Sequence, residues 1–205
     1  MNRHLILGSA SPRRRELLSL ITEDFTVQLA DIDERALEDD LGRRNVPALK
    51  VSEELAAAKA QAVFGQLDTE TRASSIVIGA DTSVILDGEI YGKPVSEEDA
   101  VRMLTNLSGK KHTVATGVCI VYEGGIKRFT DESLVEFYPL DDYQKETIRR
   151  YVESGDPMDK AGAYGIQSGG ALLVKGIEGD FLNVVGLPVA RLARELASVY
   201  ILSSN

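Results

Sequence analysis

The stretch that decides the fold of this chain is Leu5-Ile-Leu-Gly-Ser-Ala-Ser-Pro-Arg-Arg-Arg-Glu-Leu-Leu18. Leu5 to Leu7 is a short apolar run that ends at Gly8, a pattern that predicts a buried strand. Ser11 followed by Pro12 predicts a helix start, because a hydroxyl caps free N–H groups and proline suits the first helical position. We therefore expect a strand, a short polar loop and a helix in immediate succession.

The start of this helix carries an unusual charge. Arg13, Arg14 and Arg15 place three cations where the helix macrodipole is already positive. The arrangement becomes favourable if an anion binds among the free N–H groups, the Ser9 hydroxyl and the guanidinium groups. The alternative is a solvated basic turn that Glu16 partly neutralises.

Composition indicates one soluble globular domain over residues 1–205, because 43% of the residues are apolar and 27% are charged. No apolar run approaches the roughly 18 residues that span a bilayer, and the N-terminus does not resemble a signal peptide. Cys119 is the only cysteine, so internal disulfides are excluded and a cytoplasmic location is expected. Two histidines are too few for a histidine-rich metal site.

The net charge of −9 argues against nucleic-acid binding, which depends on neutralising phosphates over a wide surface. If the protein handles phosphates, the sequence predicts one concentrated pocket helped by a divalent cation.

Two candidate site residues precede the middle of the chain. After a predicted strand at Phe25–Leu29, the acidic segment to about Val46 is predicted as a long surface loop. Glu34 in it follows a strand end, where binding groups collect, although plain solvated charge is the alternative. Ser52 is predicted to cap the next helix. Lys59 falls on or beside the apolar stripe of that helix, either snorkelling to solvent or pointing into a cleft.

The run Ser75-Ile-Val-Ile-Gly-Ala-Asp81 predicts a strand that ends in a carboxylate. Binding groups cluster just beyond strand ends in α/β proteins, and a carboxylate flanked by apolar sequence is costly to bury unless it is paired or holds a metal. Asp81 is therefore the strongest catalytic candidate, with Lys93 as its neighbour. The alternative is a local turn or cap group.

Residues 156–170 combine four glycines with Asp159, Lys160 and Gln167. Glycine-rich backbone allows close approach to a ligand and can turn its N–H groups toward it. The remaining pattern is a hairpin turn at Asp87-Gly88, a second long hairpin at 113–138 and several capped helices. The mixture predicts an α/β fold with a mixed sheet.

Four stretches together resemble the Maf family of nucleoside triphosphate pyrophosphatases, in the form of its dTTP/UTP branch. They occur in family order and cover essentially the whole chain. The matching stretches are Ser9–Leu18, Gly79–Thr82 with Gly92–Pro94, Asp159–Gln167 and Glu178–Pro188.

The resemblance implies an inosine-triphosphatase-like fold: an elongated mixed sheet with flanking helices and two lobes around a cleft. It implies hydrolysis of dTTP and UTP, and of modified pyrimidine nucleotides, to the monophosphate and pyrophosphate with Mg²⁺ or Mn²⁺, in a homodimer. The implied catalytic residues are Asp81, Glu34, Lys59 and Lys93, of which Asp81 and Glu34 hold the metal. The implied substrate-binding residues are Ser9, Arg13, Arg14, Thr82, Asp159, Lys160 and Gln167, with Arg13, Thr82 and Gln167 setting base specificity.

Elementary chemistry agrees with these roles. Lys59 and Lys93 would add point charges for phosphate oxygens, and Asp81 could ligate the metal or take a proton from water. Gln167 offers a donor and an acceptor, which suits the edge of uracil or thymine. Two alternatives stay open: a pyrophosphatase for 7-methyl-GTP or other purine nucleotides, and a septum-formation regulator that acts by binding.

Overall fold

The strand predicted at the N-terminus lies inside the sheet. In the computed structural model, which describes residues 3–202, strand β1 (His4–Leu7) pairs in parallel with β2 (Phe25–Val27) on one side and β3 (Ser75–Leu86) on the other. Three of its four residues are buried, as the apolar run predicted. The polar loop and the helix follow at once, with Ser11 as N-cap and Pro12 as the first helical residue.

The described residues form one seven-stranded mixed sheet with the order β2-β1-β3-β5-β6-β7, in which β4 pairs with β3. The pairs β3–β4 and β6–β7 are antiparallel, so the predicted mixed α/β sheet is confirmed. The remaining strands are β2 (Phe25–Val27), β3 (Ser75–Leu86), β4 (Glu89–Tyr91), β5 (Lys111–Tyr122), β6 (Gly125–Phe137) and β7 (Val174–Glu178).

The sheet is accompanied by helices that begin at recognisable caps. Ser96 and Asp141 accept hydrogen bonds from the backbone N–H groups of Asp99 and Gln144 and thereby cap the helices that follow them. The helices are α1 (Pro12–Ser19), α2 (Glu34–Arg43), α3 (Ala48–Gln66), α4 (Thr69–Ala73), α5 (Glu97–Leu107), α6 (Asp142–Glu153), α7 (Phe181–Val185) and α8 (Val189–Leu202). None of the described helices is long and apolar enough to cross a membrane.

Two compact units divide the chain. Unit 1 comprises the chain through Asp81, Thr116–Asp131 and the chain from Gly186, and unit 2 comprises Thr82–Ala115 and Glu132–Val185. The buried residues of unit 1 include a cluster in which small residues of α3 pack against β1, β3 and β5. Unit 2 has a core of its own, in which Leu104, Phe137 and Leu173 are completely buried.

The acidic segment before Val46 was wrongly predicted as a surface loop. It forms helix α2, because Asp33 caps the backbone N–H of Ala36 and the spacing of Leu37 and Leu41 supplies an apolar face. Leu41 is buried against residues of α3. The many acidic residues made the short amphipathic pattern hard to recognise, because Leu41 is the one buried residue of this helix.

Helix α3 begins before the predicted cap. It starts at Ala48 after Pro47, and Ser52, expected to cap it, is fully buried within the helix. Further along the chain, the apolar run at Ala171–Lys175 predicts a strand, but the observed strand begins later. A 3₁₀ turn covers Gly169–Leu173, and strand β7 begins at Val174.

The sequence pattern predicted that Asp81 ends a strand, but Asp81 lies inside strand β3. The parallel pairing of β1 with β3 nevertheless stops at Ile78, which is opposite Leu7. Asp81 therefore lies three residues beyond the end of the parallel ladder, where the general rule for α/β sheets places binding groups. The predicted strand end at Asp81 is therefore wrong for β3 as a whole and holds only for its parallel pairing with β1, whereas the catalytic role of Asp81 stays a prediction.

Candidate active site

Three charged residues from three separate elements meet at the Lys59 ammonium. Its Nζ atom lies 2.8 Å from Asp81 Oδ1 on β3 and 2.7 Å from Glu34 Oε2 at the start of α2. The lysine is buried, with 8% of its surface exposed, whereas the Glu34 side chain is half-exposed. Of the two alternatives for Lys59, snorkelling to solvent is wrong. We call Glu34, Lys59 and Asp81 the unit 1 ion triad.

The triad exists because α3 lies directly on the backbone of β3. A Cβ atom at Gly79 would lie 2.2 Å from the Ala56 carbonyl oxygen and 2.8 Å from the Ala60 nitrogen, so only glycine permits this approach. Lys59 belongs to the same turn of α3 as these alanines, and Asp81 follows Gly79 by two residues. Small residues thereby bring a lysine and an aspartate of distant sequence positions within hydrogen-bond distance.

The Ser9–Ser11 loop organises the start of α1. The buried Ser9 hydroxyl accepts hydrogen bonds from the Ser11 backbone N–H and from Arg14 Nη1, both at 3.3 Å. Arg14 Nε donates to the Gly186 carbonyl oxygen at 2.9 Å, which ties the first helix to the segment that precedes α8. Ser9 and Arg14 are thus brought together, as the resemblance implied.

Arg14 is electrostatically coupled to the unit 1 ion triad. Burial lowers the pKa of its guanidinium group and nearby Arg13 adds to this, whereas the carboxylates of Asp81 and Glu34 oppose it. Two arginines and a lysine therefore share one neighbourhood with two carboxylates. This excess of fixed positive charge at a helix N-terminus suits an anion, which favours the anion site over the solvated basic turn.

In unit 2, a second buried lysine has different surroundings. Lys160 Nζ donates to Asp159 Oδ1 at 2.6 Å, to Asp156 Oδ1 at 3.0 Å and to the Asp156 carbonyl oxygen. An ammonium group has three N–H donors, so all three are used within one loop. This geometry favours a loop-holding role for Lys160, and its substrate-binding role stays a prediction.

The glycines of residues 156–170 serve internal packing. A Cβ atom at Gly170 would lie 2.7 Å from the Gly165 carbonyl oxygen, and one at Gly162 would lie 2.8 Å from a methyl group of Val84. The Gly165 N–H donates to the Tyr151 hydroxyl at 2.9 Å. The expectation that these glycines turn their N–H groups toward a ligand is therefore wrong for Gly165.

The other predicted residues of unit 2 lie around this loop. The Gly162 N–H donates to the Gly92 carbonyl oxygen at 3.0 Å, so the motif that contains the exposed Lys93 meets the Asp159–Gln167 stretch. The side chain of Gln167 is exposed, and Thr82 on β3 is partly buried.

Comparison with known proteins identifies the family of this chain. The family model of the Maf-like proteins matches residues 4–199. The chain belongs to the Maf family. Among its relatives are three proteins named dTTP/UTP pyrophosphatase. The one from Bacillus velezensis is 44% identical over 96% of both chains. The Moorella thermoacetica protein is 46% identical, over 94% of this chain and 93% of its own, and the Thermococcus onnurineus protein is 47% identical, over 90% and 92%.

The carboxylates of this Maf chain fit a divalent cation that the substrate helps to bind. No group of three histidine, cysteine, aspartate or glutamate side chains suited to a metal occurs within residues 3–202. Asp81 and Glu34 are nevertheless close enough to share one ammonium group. Mg²⁺ is commonly held by one or two carboxylates together with substrate phosphates and water, so this pair fits the cation.

Sequence reasoning missed Asp156, Tyr151 and Ser168, which hold the loop of unit 2. Asp156 Oδ2 accepts hydrogen bonds from the Tyr151 hydroxyl at 2.7 Å and from Ser168 Oγ at 2.6 Å. The available signal was the position of Asp156, which lies four residues before Lys160 and directly after the left-handed Gly155.

Proposed function

We propose that this Maf protein hydrolyses dTTP and UTP between the α- and β-phosphates, giving the nucleoside monophosphate and pyrophosphate. The observation that carries this proposal is the convergence of Glu34, Lys59 and Asp81 beside Arg14 in unit 1. A polyanion that releases a charged leaving group needs both fixed cations and a proton acceptor, and this neighbourhood contains both. Relatives at 43–47% identity that carry the name dTTP/UTP pyrophosphatase support the substrate class.

The basic residues of unit 1 are assigned to the phosphates. Arg13 and Arg14 lie at the N-terminal turn of α1, where guanidinium groups and backbone N–H groups can bind the same oxygens. The Ser9 hydroxyl holds Arg14 in place, and Lys59 contributes a buried point charge. Because these groups are held by the fold before substrate arrives, they stabilise charge that develops on the pyrophosphate leaving group without reorganising.

We assign to Asp81 the role of accepting a proton from the attacking water. Its Oδ1 atom accepts the hydrogen bond from Lys59, which leaves Oδ2 to accept the proton. Asp81 and Glu34 would also hold Mg²⁺ or Mn²⁺, which supplies Lewis-acid activation of phosphate oxygens when bound. If Asp81→Asn loses turnover but still binds Mn²⁺, Asp81 acts as the proton acceptor. If the variant loses both turnover and Mn²⁺ binding, Asp81 acts as a ligand of the cation.

Base selection is assigned to Arg13, Thr82 and Gln167, with Lys93, Asp159 and Lys160 supporting the substrate. The exposed amide of Gln167 can donate to a carbonyl group and accept from the ring N–H of uracil or thymine. Cytosine lacks that N–H at neutral pH, so an amide held in this orientation discriminates against it.

A substrate panel tests the proposal. Purified protein is incubated with dTTP, UTP, CTP, ATP and 7-methyl-GTP in the presence of Mg²⁺ or Mn²⁺, and pyrophosphate and orthophosphate are quantified separately. We expect pyrophosphate from dTTP and UTP and little product from the others. Release of orthophosphate would overturn the reaction type. Preference for 7-methyl-GTP would favour the purine alternative, and no hydrolysis at all would favour a binding role in septum formation.

We also propose a cytoplasmic homodimer. The reducing compartment is supported by the single cysteine, Cys119, which is buried and whose thiol pKa burial raises to about 11. Light scattering of the purified protein gives the mass of the particle, and a monomer at micromolar concentration would contradict the dimer.

A further inference from the structure

The loop that carries Asp159 and Gln167 is fastened to unit 2 at three points. Lys160 binds the main chain and side chain of Asp156, the Gly165 N–H binds the Tyr151 hydroxyl, and Ser168 Oγ binds Asp156 Oδ2. Lys160 and Ser168 contact the carboxylate of Asp156 directly. Gly165 is connected to it through the Tyr151 hydroxyl, which donates a hydrogen bond to the same carboxylate. We call Tyr151, Asp156, Lys160 and Ser168 the loop clasp.

Gln167 depends on this clasp for its position. Its side chain is exposed and makes no hydrogen bond with any other residue in the described part of the chain. Its neighbour Ser168 is held by Asp156, and Gly165, two residues earlier, is held by Tyr151. The backbone on both sides of Gln167 is therefore fixed, although the glutamine itself is not.

The loop clasp is partly buried, and its contacts persist over the pH range of an enzyme assay. Tyr151 is buried, with 5% of its surface exposed, and Lys160 is buried to a similar extent. Burial alone would raise the pKa of Asp156, but the hydrogen bonds from Ser168 and Tyr151 and the ammonium of Lys160 outweigh it and lower the pKa to about 2. The carboxylate therefore stays ionised, and the clasp closed, at any pH at which an enzyme of this kind would be assayed.

We propose that Asp156 is a positioning residue for pyrimidine selection, which acts by holding the backbone on both sides of Gln167 through Tyr151 and Ser168. This inference rests on the proposed function, because it takes Gln167 as the group that reads the base. Misplacing such a group by about 1 Å can cost on the order of a hundredfold in rate.

The decisive variant is Asp156→Asn. Its amide has one acceptor oxygen and one NH₂ group, so it cannot accept from Tyr151, Ser168 and Lys160 together. Glu153→Gln is the matched control, because it makes the same chemical change three residues earlier on an exposed side chain of α6. Should Asp156→Asn fail to fold, Tyr151→Phe removes the hydroxyl and keeps the buried ring, with the exposed Tyr143→Phe as its control.

Three measurements decide the proposal: kcat and KM for UTP and CTP, the thermal unfolding midpoint, and amide hydrogen exchange over residues 160–170. We expect KM for UTP to rise about tenfold or more with kcat changed far less, the UTP-over-CTP preference to shrink, and the Gly165 amide to lose protection. The controls should resemble the wild type.

Two results would overturn the inference. One is unchanged protection of residues 160–170, and the other is an equal loss of activity on UTP and CTP in step with the unfolded fraction. If the wild type hydrolyses neither dTTP nor UTP, the proposed function fails separately. In that case the exchange measurement still shows whether Asp156 holds the loop.

Discussion

Two lysines in this molecule are equally buried and each contacts two carboxylates, yet their surroundings differ. Lys59 and Lys160 are both 8% exposed. The partners of Lys59 come from two other elements and lie 25 and 22 positions away in the sequence, at Glu34 and Asp81. The partners of Lys160 are Asp159, its immediate neighbour, and Asp156, four residues earlier.

The contrast distinguishes a lysine whose ion pairs join distant elements from one that fastens its own loop. Asp156 also binds Tyr151 and Ser168, and a main-chain carbonyl completes the donors of Lys160, so a ligand would have to break an established network there. At Lys59, the second carboxylate is half-exposed, and both carboxylates interact electrostatically with Arg14. Under the proposed function, a phosphate therefore replaces contacts of Lys59 more readily than those of Lys160.

The largest effect is expected from Asp81→Asn. Removing a positioned proton acceptor lowers turnover by about 10²–10⁴, and the near-equal size of the amide preserves the packing of β3. Asp87→Asn is the control, because asparagine tolerates the left-handed backbone of that hairpin turn. Pyrophosphate release from UTP measures both variants. If Asp81→Asn kept near-normal turnover, the unit 1 ion triad would not be the catalytic group.

Replacing each buried lysine by methionine tests the comparison directly. Lys59→Met should lower turnover of the folded enzyme by about 10² or more, because a preorganised charge is lost, and it should also cost about 1–3 kcal/mol of stability, because its bonds to two carboxylates are lost. Lys160→Met should cost about 1–3 kcal/mol of stability, because hydrogen bonds to charged groups are lost, and reduce turnover per folded molecule much less.

Steady-state kinetics and urea unfolding of both lysine variants supply the two readouts. A Lys160→Met variant that is stable but inactive would contradict the distinction between the two lysines.

Acid pH should weaken the core on which the unit 2 loop rests. Burial lowers the pKa of His112 to about 4, and its Nε2 atom lies 2.9 Å from the hydroxyl of Tyr164, a residue of that loop. Below its usual pKa near 6.5, the unfolded chain takes up a proton that the folded chain does not. Stability should therefore fall as pH drops from 6.5 to 4, by about 3 kcal/mol in total.

Urea unfolding at several pH values measures this slope. His112→Gln should remove most of it, and His4→Gln, which replaces the other histidine, should leave it in place. An unchanged slope in His112→Gln would show that another group causes the acid sensitivity.

The smallest effect on stability is expected from Glu34→Gln. The Glu34 side chain is half-exposed, so solvent screens its ion pair with the buried Lys59, and we expect a contribution of about 0–1 kcal/mol. Its effect on function should be larger, as a raised requirement for Mg²⁺, because one of two candidate metal ligands is lost. Titration of activity with Mg²⁺ measures it, with Asp39→Asn on the same helix as control. If Glu34→Gln and Asp39→Asn required the same concentration of Mg²⁺, Glu34 would not be a ligand of the metal.

Local elements of the fold could be predicted from the sequence because their causes are local. The cap at Ser11 and the hairpin turn at Asp87-Gly88 depend on residues a few positions apart, and both were found where expected. Helix α2 was missed, because a run of acidic side chains hid an apolar face that a single buried leucine stabilises.

The amino-acid sequence alone indicates the Maf family, the mixed α/β class and the candidate site residues. The side chains that each of these residues contacts become known only from the folded chain. Lys59 reaches Asp81 because Gly79 lets two alanines of α3 lie on the strand, and Lys160 turns inward because Asp156 is already held by Tyr151 and Ser168. Spacing along a chain specifies helices and turns, whereas the partner of a buried charge depends on how closely distant backbones can approach.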